Sequence, residues 1–333
     1  MKRILLLALG ICFLMTVNAF AAKIDFTDPA FSSAQGAPSF FTSMGGVSGA
    51  FLLLPFQMSF LNFTTPSVSS TNMLYNIVAI PSGVYRFIKE GRMAWPLTWV
   101  VIAGTLPGVF IGYYIRVFYL PEPRTFKLFV GCVLLYMGVR LFYEVSGRGK
   151  KEKNGSGKLE ERFRRQREEL QEKSGGRFVS GLSSEAVIRT VSFDINKVVY
   201  EFWGERFSFN TLAMFSLAFV VGIIGGTYGI GGGAIIAPFC VAVFHLPVYT
   251  VAGAALMGTF LTSIAGVFFY TFVPLNGMTA SPDWLLGLLF GAGGFCGMYL
   301  GARFQKFVPQ KIIKMVLGIS ILTVALKYII QYF

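Results

Sequence analysis

The feature that most constrains this chain is a series of long apolar stretches from which charge is nearly absent. They fall at about 40–61, 67–85, 94–115, 126–143, 209–227, 233–246, 250–272, 284–302 and 312–331. About 20 apolar residues in helical form match the roughly 30 Å hydrocarbon core of a bilayer. Helices also satisfy every backbone N–H and C=O within the segment, which lipid demands. The pattern therefore predicts an all-α integral membrane protein that crosses a bacterial-type cell inner membrane several times. Only 14% of residues are charged, against about a quarter in an ordinary soluble domain.

The formal net charge of +13 does not imply a nucleic-acid partner. Membrane proteins retain Lys and Arg in cytoplasmic loops, and 25 of the 45 charged residues lie between Glu144 and Arg206. That clustering divides the chain into a first membrane repeat at 40–143, a charged cytoplasmic insertion at 144–208 and a second membrane repeat at 209–333. Within the insertion, Lys158–Lys173 has the composition of a solvated helix, and Val187–Phe209 alternates enough for short strands or an interfacial segment. Residues 1–22 read as a signal peptide or a first transmembrane helix: Met1-Lys2-Arg3, an apolar run from Ile4 to Val17, then Ala19-Phe20-Ala21-Ala22. Cys12, Cys132, Cys240 and Cys296 all lie in apolar stretches without a CxxC pair, so no metal site and no disulfide framework is expected.

The two halves resemble each other. A shift of 183 positions aligns Gly46 with Gly229, Gly49 with Gly232, Pro55 with Pro238 and Gly83 with Gly266. After a six-residue insertion Trp95 meets Trp284, and Gly104, Gly108 and Gly112 meet Gly293, Gly297 and Gly301. Many secondary transporters are built from such repeats, with the substrate between them. If each half makes an odd number of crossings the repeats are inverted.

The second repeat carries Gly225-Gly226-Thr227-Tyr228-Gly229-Ile230-Gly231-Gly232-Gly233 and then Pro238; the first carries a weaker copy, Gly45-Gly46-Val47-Ser48-Gly49, ending at Pro55. Clustered glycines disfavour helix, and broken backbone at membrane depth survives only where protein or a cavity surrounds it. A half-helix restarting near Ala234 would aim its free N–H groups and positive end at that place, a setting for an anion. Close helix packing is the competing reading; it is preferred for the Gly104–Gly112 and Gly293–Gly301 series. No Lys-Ser/Thr follows the glycines, so a P-loop is excluded.

Uncharged polar residues follow each motif: Ser69, Ser70, Thr71, Asn72 and Asn76 in the first half, Thr259, Thr262 and Ser263 in the second. They could coordinate an oxyanion or bond neighbouring backbone. The candidate substrate-binding set is thus Gly229, Gly231, Gly232, Gly233, Thr259, Thr262, Ser263, Gly46, Ser48, Gly49, Asn72 and Asn76, with Pro55 and Pro238 structural. His245, the single histidine, could couple transport to protons or serve as an interfacial hydrogen bonder. The spans carry no carboxylate pair, so neither a membrane enzyme nor a carboxylate relay is expected, and no cofactor is implied.

The duplicated order of glycine cluster, proline, Thr/Ser-bearing helix, basic turn, aromatic helix start and Gly-rich helix resembles the TauE/SafE sulfite exporter family. The match rests on Gly226–Pro238, Ala252–Thr259, Arg86–Trp95 and Leu106-Pro107-Gly108, and extends over 40–143 and 209–331. The resemblance implies a permease for sulfite, a sulfonate or a related sulfur oxyanion, usually an exporter. Ser48 and Ala50 stand where the family has glycines, and the insertion is longer than the family's. A permease or channel for another solute, and a scaffold whose insertion binds a partner, are the alternatives. The expected partners are a small anionic solute and the lipid bilayer, with a homo-oligomer and a cytoplasmic partner left open.

The positive-inside rule assigns 144–208, the Arg86–Arg92 turn and the Arg303–Lys314 turn to the cytoplasm. A cleaved leader conflicts with this, because it puts Arg86–Arg92 outside unless segment 40–61 dips in and returns.

Overall fold

Apolar sequence at helical length builds most of the chain. The computed structural model describes residues 49–89, 91–145, 187–202, 204–274, 280–304 and 310–333. The expected leader at 1–22, Gly46, Ser48 and the helix expected at Lys158–Lys173 lie outside them. The first half contains α1 (Ala50–Ser59), α2 (Ser67–Ala79), α3 (Pro81–Lys89), α4 (Trp95–Phe118) and α5 (Pro123–Val145). Then come β1 (Ile188–Phe193), β2 (Lys197–Phe202) and β3 (Glu205–Asn210). The second half contains α6 (Thr211–Tyr228), α7 (Gly233–Phe244), α8 (Val248–Phe272), α9 (Trp284–Phe304) and α10 (Gln310–Ile330). Among the described residues, four stretches are long and apolar enough to cross a membrane: Trp95–Phe118, Pro123–Tyr143, Thr211–Tyr228 and Thr250–Phe272.

Local chemistry sets several of these ends. Pro81 follows Ile80 and opens α3, and Pro96 occupies the first turn of α4, where a missing N–H is harmless. Asn210 caps α6, its Oδ1 accepting from Ala213 N at 2.9 Å. Asp283 does the same for α9 through Leu286 N, also at 2.9 Å.

The small sheet corrects the all-α expectation. Its strands run antiparallel in the order β1-β2-β3, with an irregularity between Thr190 and Ser192. The alternation in β2 buries Val198, Tyr200 and Phe202 on one face. That face is joined to the helices. Ile188 N donates to Gly91 O at 3.0 Å, and the Tyr200 hydroxyl lies 2.8 Å from Thr250 Oγ1. Burial pushes the Tyr200 phenol above its ordinary range.

Glycine seams set the helix packing. A Cβ on Gly104, Gly108 or Gly112 of α4 would stand 2.6, 2.4 and 2.4 Å from the carbonyl oxygens of Phe215, Phe219 and Ile223 on α6. The packing reading of that series therefore holds. On α9, Gly287, Gly291 and Gly294 meet α2, against Leu74, Val78 and Tyr75.

These contacts also give directions. Numbering rises together in α4 and α6 (Gly104 on Ala218, Gly112 on Gly226), in α4 and α8 (Val101 on Gly258, Val109 on Gly266) and in α2 and α9. It runs oppositely in α2 and α8 (Met73 on Gly266, Asn76 on Ser263) and in α5 and α10 (Gly131 on Tyr328, Phe142 on Gly318). α6 and α7 fold back as a hairpin, with Cys240 Sγ 3.6 Å from Met214 Sδ and Phe244 beside Phe209. Its open end meets the sheet, and its tip is Gly229–Gly232. α1 begins beside that tip and runs away from the sheet to Ser59, whose Oγ lies 2.7 Å from the Tyr328 hydroxyl. The described part of segment 40–61 is thus a 10-residue helix that starts at the break, and Arg92, the insertion's strands and the start of α8 share one side.

Candidate functional site

The glycine cluster breaks the helix as its composition predicts, between Tyr228 and Gly233. Gly229 adopts φ 90° and ends α6 in the left-handed region, and Gly231 has φ 75°. Both conformations suit glycine and strain other residues. Space is the second requirement: a Cβ on Gly229 would lie 2.4 Å from Ser69 O, and one on Gly233 2.1 Å from Ala255 O. α7 then restarts at Gly233, buried in protein on every side. Gly225 and Gly226 stay within α6 and serve packing.

The polar residues of α2 and α8 converge on this break. The Asn72 amide donates to Ala50 O at 3.1 Å and to Gly229 O at 3.0 Å, so one NH₂ group ties the start of α1 to the end of α6. Asn76 donates to Ile230 O at 2.9 Å and to Ser263 Oγ at 3.3 Å. Gly232 N donates to Thr262 Oγ1 at 3.0 Å. Thr259 and Thr262 return their own protons to Ala255 O and Gly258 O in the preceding turn. The amide donors are thus fully used, on the carbonyls of Ala50, Gly229 and Ile230 and on Ser263 Oγ. The acceptor oxygens of Asn72 and Asn76 are buried without a hydrogen-bond partner.

The prolines sit where the half-helices need side-chain help. Pro55 removes the N–H that would bond Phe51 O; the Tyr228 hydroxyl supplies the replacement at 2.9 Å. Pro55 O accepts from Tyr328 at 3.1 Å, and Pro238 O accepts from Arg140 Nη2 at 2.5 Å. Gly49 precedes α1 in helical conformation. His245 is not brought to the break. It lies exposed at the far end of α7, a helix of 12 residues, about 18 Å long at 1.5 Å per residue.

Several neighbours escaped the reading of residue types. Thr227 Oγ1 donates to Gly112 O at 3.1 Å, tying the break to α4, and the Tyr270 hydroxyl donates to Gly226 O at 3.1 Å. Arg116 is fully buried near the end of α4, with its Nε 3.4 Å from Ser69 Oγ and its guanidinium stacked over Phe126 at 3.6 Å. A charge in an apolar helix is the signal that could have found it. Among the described residues no group of three His, Cys, Asp or Glu is arranged to hold a metal ion.

Apolar helices long enough to cross a membrane, with a buried, backbone-broken hairpin packed among them, are features of a membrane-embedded transporter. The model of the family described as Sulfite exporter TauE/SafE matches residues 36–328, and the chain belongs to that family. It is 21% identical over 296 residues to "Probable membrane transporter protein YunE" of Bacillus subtilis (strain 168), covering 87% of this chain and 92% of that protein. It is 27% identical over 95 residues to "Probable membrane transporter protein YdhB" of the same organism, covering 28% and 36%. No solved structure matches.

Proposed function

We propose that this protein is a secondary permease or exporter for a small sulfur oxyanion, sulfite or a sulfonate, with its substrate site at the Gly229–Gly233 break. The carrying observation is that α7 restarts inside the protein, with the positive end of its dipole and its first N–H groups enclosed rather than in water. Gly231 and Gly233 would offer backbone donors, flanked by Thr259, Ser263 and the Thr262 hydroxyl that holds Gly232 N. Asn72 and Asn76 would hold the break open instead of donating to the anion.

The helix directions support an inverted repeat. α1 runs from the break away from the sheet and α7 runs toward it, while α2 opposes α8. The basic Arg86–Arg92 turn on the sheet side supports a cytoplasmic sheet, and a segment 40–61 that dips in and returns would remove the conflict with a cleaved leader. The family's name supports sulfite as the first substrate to test. Transport would draw on an ion gradient or the solute's own gradient.

Reconstitution into liposomes, with labelled sulfite, sulfate and a short sulfonate, tests the proposal. Saturable flux of one anion is expected in the wild type. It should be lost in Gly232→Leu, whose side chain would enter the 2.6 Å gap to Thr105 Cβ, and reduced in Thr262→Val. Equal flux in vesicles with and without the protein, for all three anions, refutes the substrate class.

A further inference from the structure

We propose that Arg116 forms an oxyanion-binding station beside the helix break, on the side away from the sheet, with Ser69 and Tyr270 as neighbouring hydroxyl ligands. This deepens the transport reading above and rests on it for the identity of the anion.

Four observations carry the inference. First, Arg116 is fully buried, and no carboxylate pairs with it among the described residues. A guanidinium taken out of water is expensive unless paired, and charges within membrane segments ordinarily find partners or mark a path for ions. Second, the hydrogen bonds around it leave capacity. A guanidinium has five N–H donors. Arg116 uses three, to Leu120 O, to Ser69 Oγ at 3.4 Å and to Thr64 O at 3.4 Å, the last two long. Third, two hydroxyls lie in its reach, Ser69 and Tyr270; they now donate to Thr227 O and Gly226 O, and an oxyanion would accept from them in place of those carbonyls. Fourth, the cluster is continuous with the break. The Ser69 hydroxyl donates to Thr227 O at 3.2 Å, and the Ser69 backbone packs on Gly229.

The planar fork of arginine can present two parallel donors to one oxyanion. Stacking on Phe126 fixes the plane, so an entering anion would gain a preoriented charge. It would take the place of the two long bonds to Ser69 and Thr64 and then lie one residue from the break. The competing role is purely structural, tying the loop at Thr64 to the end of α4 at Leu120. A neutral donor could serve that role; it could not supply charge.

The test compares Arg116→Gln, Arg116→Lys and Ser69→Ala in the full-length purified protein. Saturable rise of the unfolding temperature with sulfite, sulfate and methanesulfonate gives affinity without requiring transport, with chloride at equal ionic strength as control. At least one oxyanion should stabilise the wild type. Arg116→Gln should weaken its apparent affinity by about tenfold or more, which is about 1.4 kcal/mol, and Arg116→Lys by less. Ser69→Ala should weaken it severalfold. If Arg116→Gln does not fold, unchanged affinity in both Arg116→Lys and Ser69→Ala overturns the inference. Wild-type affinity in Arg116→Gln overturns it directly, as does a wild type that no oxyanion stabilises. Oxyanion binding that depends on Arg116 without any flux would instead sink the carrier reading and leave the station standing. Flux lost in Gly232→Leu but unchanged in KM in Arg116→Gln would do the reverse.

Discussion

The bond between Tyr228 and Phe51 makes a sharp test of how the two halves are joined. Pro55 deprives Phe51 O of its intrahelical donor, and the Tyr228 hydroxyl, 177 residues away in sequence, fills the vacancy at 2.9 Å. Tyr228→Phe keeps the ring, whose centroid lies 5.9 Å from that of Phe51, and deletes only the donor. Leaving a buried carbonyl unsatisfied costs about 1–3 kcal/mol, while hydrogen bonds between membrane helices average nearer 0.6 kcal/mol, with a maximum near 1.7. A loss of about 1–2 kcal/mol is therefore expected, or roughly 2–8 °C in the unfolding temperature at about 2–4 °C per kcal/mol. Pro55→Ala restores a backbone N–H at the correct i, i+4 position. In that background Tyr228→Phe should cost less than about 0.5 kcal/mol, because the carbonyl now has its own donor. Thermal unfolding of the four proteins in one detergent reads the cycle. Equal destabilisation by Tyr228→Phe in both backgrounds would refute the reasoning, since the hydroxyl would then be acting on something other than the proline vacancy.

Further outcomes follow from the same contacts. Gly108→Ala should abolish stable expression or lower the unfolding temperature by at least several degrees, because its Cβ would stand 2.4 Å from Phe219 O and 2.9 Å from Gly222 Cα; overpacking costs about 1–3 kcal/mol. A seam that tolerates alanine there would mean that α4 and α6 are not in backbone contact. Tyr200 is raised by burial, so its neutral form favours the folded sheet. Its contribution should be complete below the unfolded value of about 10 and should decline as pH rises from there through the higher folded value. Hydrogen exchange of Lys197–Phe202 should accelerate above that pH in the wild type, and Tyr200→Phe should flatten the dependence. Deleting 188–208 should destabilise the membrane helices, because it removes buried Val198, Tyr200 and Phe202 along with the bonds at Gly91 and Thr250; unchanged unfolding would show the sheet to be an appendage.

Most of the spans were legible because lipid leaves few choices: apolar length dictates a helix, and the observed bounds differ from the expected ones by a few residues. The break at Gly229–Gly232 was legible because glycine frequency changes the backbone's options regardless of context. What pattern alone misses is which half of an amide is used. Asn72 and Asn76 stand at expected positions, yet their donors go to Ala50, Gly229, Ile230 and Ser263. Only three-dimensional proximity assigns those carbonyls. Arg116 was missed for a different reason. Ending the span at 115 turns Arg116 into a loop residue, whereas the helix continues to Phe118 and stops ahead of Pro121. Three residues of boundary error changed a buried charge into a surface one. Likewise, alternation in 187–209 suggested strands, but their docking on Gly91 and Thr250 depends on contacts distant in sequence.

The opposed half-helices imply a physical cost that bears on ligand binding. One Asn72 amide reaches both Ala50 O and Gly229 O, so the start of α1 lies close to the break from which α7 departs. Each helix start carries about half a positive charge, and low dielectric strengthens their mutual repulsion. The unpartnered acceptor oxygens of Asn72 and Asn76 are the partial negative charges the protein itself brings to this place, and they are weak ones. An anion would relieve the repulsion more fully, which means binding should stabilise the junction between the halves as well as fill a site. Replacing Asn76 by aspartate is the discriminating change. A fixed carboxylate should abolish stabilisation by added oxyanion, because it neutralises the same two helix starts, while it forfeits the Asn76 bonds to Ile230 O and Ser263 Oγ. If Asn76→Asp leaves oxyanion stabilisation intact, the dipoles are not what the anion meets, and binding at the break loses its electrostatic basis.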